Sequence, residues 1–390
     1  MSYIVKSLTL KNFRSYDDYA LELDPNLTIL TGPNATGKTN LLEALELLTT
    51  GRSFRRPLAA DLLHIGSEYG QAHLYAQDGS LRREVTLFLK EGKRSYEVNT
   101  KPASVKNPVA GPLPCVIFTP SDLRIIKDSA EKRRDALDEL GQQLSGTYRR
   151  LRSEYGKILV QRNRLLKENI FSGVLMQAWT DRLVRVGAAL YKKRLSLFNL
   201  LVPHIKQHHS ALDAKIQLHL SYRAEWMMGE YVPDPAGDAD SPSGGDSDTY
   251  VEDCLMRALA ANKEKEHSLK RTAVGPHRDD VAFTLDGKDA RTFGSQGQQR
   301  SIALAWKLAE INVIEELGAA RPLLLLDDVM SELDGGRRAR LAGMVGTVAQ
   351  TVITTAHIDY FEKELLGRAK TVTLPPAGGI PAHEKPVTVA

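Results

Sequence analysis

Gly32-Pro33-Asn34-Ala35-Thr36-Gly37-Lys38-Thr39 lies between an apolar run, Leu27-Thr28-Ile29-Leu30-Thr31, and a segment with Leu41, Leu42, Leu45 and Leu48 at helical spacing. The first flank reads as a strand and the second as an amphipathic helix. In that setting the octapeptide fits G-x-x-x-x-G-K-[ST]. Its glycines let successive backbone N–H groups wrap around phosphates, and the following helix N-terminus adds partial positive charge. Lys38 would reach the β- and γ-phosphates of ATP as a mobile point charge, and Thr39 would ligate Mg²⁺. The whole stretch, Gly32 to Thr39, is therefore expected to hold nucleotide. A glycine-rich turn could match by chance, so the rest of the chain has to supply the reaction.

Three further stretches do so. Leu323-Leu324-Leu325-Leu326 runs into Asp327-Asp328, and a continuous apolar run suits a parallel strand buried on both faces. Carboxylates at its C-terminal end stand where open α/β sheets bind ligands. Asp327 would hold Mg²⁺, and Asp328 would orient and deprotonate the attacking water. Ser331-Glu332-Leu333-Asp334 follows at the spacing of the loop that crosses to a partner subunit in ABC ATPases. Phe293-Gly294-Ser295-Gln296-Gly297-Gln298-Gln299-Arg300 opens a helix carrying Ile302, Ala305, Trp306, Ala309 and Val313. With Ser295 at the helix mouth and Gly297 admitting a close backbone approach, it reads as a second anion-binding terminus. It resembles the ABC signature motif, so Ser295, Gly297 and Gln298 are expected to meet nucleotide held by another protomer. Finally, the strand Thr351-Val352-Ile353-Thr354-Thr355 ends at Ala356-His357, which resembles the ABC switch histidine. Imidazole can donate to phosphate or pass a proton near neutral pH.

The remainder of the 390 residues fits around these motifs. The length suggests two or three domains, and 42% apolar with 26% charged residues is a globular mixture. Cys115 and Cys254 lie far apart without metal-ligand spacing and read as buried thiols of a reducing compartment. No apolar stretch approaches membrane-spanning length, so no membrane partner and a cytoplasmic location are expected. Residues 131–210 hold sixteen Lys/Arg against seven Asp/Glu, although the whole chain carries only +4. Lys132-Arg133-Arg134, Arg149-Arg150-Leu151-Arg152, Arg162-Asn163-Arg164 and Lys192-Lys193-Arg194 recur there. Such a run can be a solvated helix face. Too few local acids are present to pair it, so phosphate contact without sequence reading is favoured, with Arg149, Arg150 and Arg152 as candidates. The expected organisation is an ATPase lobe over 1–120, a basic helical lobe over 121–273 with an acidic disordered loop at 234–248, the ATPase lobe again over 274–373, and a disordered tail, 374–390. The two ATPase segments must share one sheet, because each carries part of a nucleotide site.

In this order the motifs resemble the RecF family of bacterial DNA repair proteins, within the ABC/SMC-like ATPases. Leu10-Lys11-Asn12-Phe13-Arg14-Ser15-Tyr16 resembles the N-terminal strand and turn of SMC-like ATPases. Gly51-Arg52-Ser53-Phe54-Arg55 and Gly275-Pro276-His277-Arg278-Asp279-Asp280 resemble segments characteristic of the family itself. The likeness spans roughly residues 1–373. It implies an ABC-type α/β ATPase head assembled from N- and C-terminal segments, with a mainly helical second lobe inserted. It also implies an ATP- and Mg²⁺-dependent homodimer at gapped or junction DNA, a slow DNA-stimulated ATPase, and cooperation with RecR, RecO and RecA. By the same likeness Arg14 would approach the nucleotide. Two departures stand out. Phe118-Thr119-Pro120-Ser121-Asp122 occupies the place where many ABC ATPases carry a Mg²⁺-sensing glutamine. Asp328 replaces the glutamate common in transporters, a shorter base suited to slow, switch-like hydrolysis. A transporter ATPase would need a short segment between lysine loop and signature, an SMC clamp hundreds of coiled-coil residues, and a small-molecule P-loop kinase no Ser295 helix mouth.

Overall fold

Leu323–Leu326 is almost fully buried, as an apolar run in a doubly covered parallel strand must be. A computed structural model describes residues 3–103, 113–227, 247–317, 321–345 and 349–375. Chain order begins with strands β1 (Ile4–Phe13), β2 (Tyr16–Glu22) and β3 (Leu27–Thr31), helix α1 (Lys38–Thr50), and strands β4 (Tyr69–Asp78), β5 (Leu81–Lys90), β6 (Lys93–Val98), β7 (Lys101–Ala103) and β8 (Cys115–Phe118). Helices α2 (Ala130–Leu144), α3 (Gly146–Lys167) and α4 (Val174–Leu212) follow, then β9 (Leu218–Arg223), α5 (Ser247–Ala261) and α6 (Lys263–Leu269). The remainder is β10 (Asp280–Leu285), β11 (Lys288–Asp289), α7 (Ala290–Phe293), α8 (Gln296–Glu316), β12 (Leu323–Asp327), α9 (Gly335–Met344), β13 (Gln350–Thr355), α10 (Lys363–Leu366) and β14 (Lys370–Thr373).

The chain divides into two units, 1–122 with 310–390, and 123–309. In the first, a parallel sheet runs β14-β3-β13-β12-β8 and an antiparallel sheet runs β2-β1-β4-β5-β6-β7. N- and C-terminal segments do share the parallel sheet, as their half-sites require. Leu41, Leu42, Leu45 and Leu48 of α1 are fully buried in a core that also takes Leu8 and Leu10 of β1, Leu74 of β4 and Leu87 of β5. The Gln350 side chain ties the two sheets together. Its Oε1 accepts from the Val5 N–H, and its Nε2 donates to the Val5 and Asp24 carbonyls. It sits at a register shift in β1, where the ladder leaves backbone groups to be satisfied.

The second unit is mainly helical but also carries the antiparallel sheet β11-β10-β9. Four departures from expectation belong here. The first division, 122/123, lies close to the expected one, but the second falls inside α8 between Ala309 and Glu310 rather than at 273/274. The Ser295 helix mouth therefore belongs to the inserted unit. Ser247 and Asp248, expected in the acidic loop, begin α5; residues 234–246 of that loop lie outside the described residues. Leu374, expected in the tail, is buried and its N–H donates to the Thr31 carbonyl; residues 376–390 lie outside the described residues.

The fourth correction concerns the basic arm. Arg133 makes a two-point pair with Asp280 (2.7 and 3.0 Å), Arg162 with Glu266 (3.0 and 2.7 Å) and Arg194 with Asp138 (both 3.0 Å), and all three arginines are buried. Arg152 donates to Asp138 at 2.6 Å, and Arg149 donates to the Gln142 carbonyl. Arg150 alone of the named trio is exposed, with a bond to Thr147. A local charge count misses these partners because Asp280 and Glu266 arrive from more than a hundred residues away. Planar guanidinium forks suit such desolvated pairing.

The segment Gly275 to Asp280 is clamped by this network. Asp279 accepts from Tyr222 (2.6 Å) and Trp226 (2.7 Å), while Arg194 donates to the Pro276 carbonyl. Gly275 has φ +127, and a Cβ there would come within 2.8 Å of the Tyr155 hydroxyl. That hydroxyl bonds His277 Nδ1 at 2.8 Å, and His277 Nε2 faces the Thr272 carbonyl. Burial lowers the His277 pKa from 6.5 to about 4. The unfolded chain therefore binds a proton that the folded chain refuses, and stability present above pH 6.5 is lost as pH falls toward 4. Denaturant titrations should show a loss of roughly 3 kcal/mol across that window. His277→Gln should flatten the dependence, and an unchanged pH slope in that variant would exclude His277 as its source.

Candidate functional site

The phosphate-type loop joins β3 to α1 with the backbone its sequence implies. Gly32 has φ +151 and Gly37 φ +94, and the latter caps α1 in the left-handed region. A Cβ on Gly37 would come within 2.7 Å of Ser15 Oγ and 2.8 Å of the Tyr16 hydroxyl, so only glycine fits. Ala35 also has positive φ, +66, a conformation that costs a non-glycine residue about 1–2 kcal/mol. Lys38 Nζ donates to the Gly32 and Pro33 carbonyls, both at 2.7 Å, which holds the ammonium over the loop. Burial pulls the Lys38 pKa down, while Asp328 and Asp327 push it back up.

The strand order β3-β13-β12 brings the loop, His357 and the aspartate pair to neighbouring strand ends. Thr39 Oγ1 donates to Asp327 Oδ1 at 2.8 Å, and Thr354 Oγ1 donates to the same oxygen at 2.9 Å. Burial raises the Asp327 pKa, opposed by these hydroxyls and by Arg55. Asp328 is left-handed at φ 50, with its N–H on Thr354. Its Oδ1 is buried and accepts no hydrogen bond among the described residues. Ser331 caps the Asp328 carbonyl, and Asp334 caps α9 through the Arg337 N–H. His357 is exposed, its ring 5.3 Å from that of Tyr360.

These oxygens suit Mg²⁺. Neighbouring ligands of an octahedron with 2.0–2.1 Å bonds stand about 3 Å apart, close to the Thr39–Asp327 separation. A hydroxyl and one carboxylate, completed by phosphate oxygens and water, is the usual hard-oxygen set for this ion.

Ser295 precedes α8 as a reciprocal cap. The Gln298 N–H donates to Ser295 Oγ at 3.3 Å, and the Ser295 N–H donates to Gln298 Oε1 at 2.7 Å. The hydroxyl accepts in that bond, so its own hydrogen remains available to an anion. Where many ABC ATPases carry a glutamine, Thr119 instead closes a local turn on Asp122 through both its N–H and its hydroxyl.

Two arginines differ from the sequence reading. Arg14 is held by Glu43 at 3.0 and 2.9 Å and by the Asp61 carbonyl, which directs it to the side of α1. Arg55, not singled out from sequence, bonds Asn40 at 2.8 Å, pairs with Glu43 and acts electrostatically on Asp327. Its only sequence signal was membership of the Gly51–Arg55 segment. Glu43 is buried beneath both arginines and Ser53, a position legible only after α1 is packed.

The RecF/RecN/SMC N terminal domain family matches residues 4–373. A DNA replication and repair protein RecF of Synechococcus sp. (strain JA-3-3Ab) is 35% identical over 372 residues, covering 94% of each chain. A solved structure of the recombination mediator protein RecF-ATP in the RecFOR pathway has TM-score 0.80 and 29% identity, covering 93% of this chain and 94% of that one. The Smc head domain of Pyrococcus furiosus, at TM-score 0.53 and 15% identity over 96% of this chain and 94% of that one, shares the fold. The architecture is thus an ABC-type ATPase head built from both chain ends around an inserted lobe. Among the described residues no helix is long and apolar enough to cross a membrane.

Proposed function

Because the chain belongs to the RecF family of DNA replication and repair proteins, we propose that it binds ATP and DNA together and uses slow hydrolysis as a switch. The carrying observation is the convergence of Thr39, Asp327 and Thr354 beside a lysine-bearing loop, with Asp328 Oδ1 left free to accept.

The loop from Gly32 to Thr39 presents backbone donors to the phosphates, and Lys38 places its charge against the β- and γ-oxygens. Thr39 and Asp327 would hold Mg²⁺, which would supply neutralisation of developing phosphate charge. Asp328 orients water for in-line attack and takes its proton; its short side chain gives it limited reach, hence slow turnover. His357 donates to the γ-phosphate from the neighbouring strand end. Neither helix mouth alone surrounds that phosphate. A second copy, docked head-to-tail, would bring Ser295, Gly297 and Gln298 onto it and exclude water. ATP then favours the dimer through its differential affinity for the closed state. Gapped or junction DNA, RecR with RecO, and loading of RecA complete this reading, supported by the RecFOR context of the related structure.

Sedimentation with and without ATP·Mg²⁺ and a gapped duplex tests it. A monomer without nucleotide and a DNA-bound dimer with ATP are expected. A single oligomeric state under all four conditions would overturn the switch.

A further inference from the structure

The clamped turn from Gly275 to Asp280 raises a question that the nucleotide site does not answer: what is it held rigid for? Pro276 and Asp279 are buried, whereas Arg278 is exposed between them. Arg278 lines a cleft of about 520 Å³ within the second unit, formed with α5, α6 and the turn at 225–227. Arg257 and Lys265 line the same cleft, and both are exposed. Among the described residues none of the three cations forms an ion pair, and Glu225 is the one carboxylate of the lining. The floor is apolar, with Trp226, Met227 and Ala258. Trp226 is itself fixed by its bond to Asp279. The buried arginine–aspartate network thus immobilises one cationic wall and the floor together.

We propose that this cleft is a binding site for the phosphate backbone of single-stranded DNA, with Arg257, Lys265 and Arg278 as its phosphate contacts. The inference rests on the DNA-binding reading above and shifts the phosphate contacts from the arm of Arg149 and Arg152, each of which is held by a bond within the fold, to this cleft. Among the described residues, three cations without an ion pair and one carboxylate line the cleft, which gives the charge complementarity. The size selects the strand form. A cavity of this volume admits a drug-sized body or a short run of nucleotide backbone, not a duplex. Contacts of this kind position the strand without reading its sequence.

Fluorescence anisotropy with a labelled oligo-dT and with a gapped duplex, over a range of salt, tests the assignment on the full-length protein. Arg257→Gln, Lys265→Gln and Arg278→Gln combined should lower the log–log salt slope for oligo-dT by about 2, an affinity loss of about a hundredfold at 0.1 M salt. Arg278→Lys should retain most binding, since a point charge suffices for a phosphate. Glu225→Gln, which risks no internal contact, should raise oligo-dT affinity. An unchanged slope in the triple variant, or unchanged affinity in Glu225→Gln, overturns the site. Failure of the wild-type protein to bind either DNA would instead overturn the DNA-binding reading itself.

Discussion

Asp328→Asn lowers ATP turnover by roughly 10²–10⁴-fold, the range expected when a positioned general base is lost, while ATP binding and ATP-dependent dimers persist. The asymmetry follows from the two aspartates' surroundings. Asp327 Oδ1 is committed to Thr39 and Thr354, at the place that would hold the metal. Asp328 has a buried oxygen with no such commitment, on a left-handed residue anchored by its own N–H. Asparagine preserves size and can hold that backbone, but it cannot take a proton at neutral pH. Asp327→Asn should instead weaken Mg²⁺-dependent ATP binding. Single-turnover hydrolysis and equilibrium nucleotide binding separate the two effects. Equal hydrolysis by wild type and Asp328→Asn would remove Asp328 from water activation.

The second large effect concerns sharing between chains. Ser295→Arg should bind ATP normally and fail to dimerise, because a long side chain fills the helix mouth where phosphate must enter. Lys38→Met should lose nucleotide. A mixed dimer of the two retains one composite site, formed by Lys38 of one chain and Ser295 of its partner. Each variant alone should be near background. Because neither variant closes a dimer with itself, pairing in the equimolar mixture favours mixed dimers, and ATPase activity should recover up to about half of wild type, one intact site of two. If sedimentation shows mixed dimers and the mixture still exceeds neither component, the sites are not shared.

Much of the candidate site's geometry was legible because it is local. Glycines at two left-handed positions, a lysine at a helix start, and aspartates after a buried apolar strand each need only their immediate neighbours to be recognised. The cap at Ser295 and Gln298 is likewise a four-residue pattern, and Leu41 through Leu48 declare the buried face of α1 by spacing alone. Because each chain end carries only part of the motif set, the sequence also implied that both ends share a sheet.

What the sequence could not decide was which charges remain free. Sixteen basic residues in 131–210 looked unpaired because a linear count sees only nearby acids. Tertiary folding brings Glu266 to Arg162 and Asp280 to Arg133, across separations of 104 and 147 residues. A buried guanidinium demands such a partner, since an uncompensated charge out of water is strongly destabilising. The same packing decided that Arg14 serves Glu43, that Arg55 stands near Asp327, and that Arg278 is displayed while Asp279 beside it is buried. Local motifs determined the backbone of the candidate site, because backbone conformation and helix termini are properties of short segments. The fate of each long cationic side chain depended on desolvation and on partners remote in sequence, and these exist only once the chain is folded.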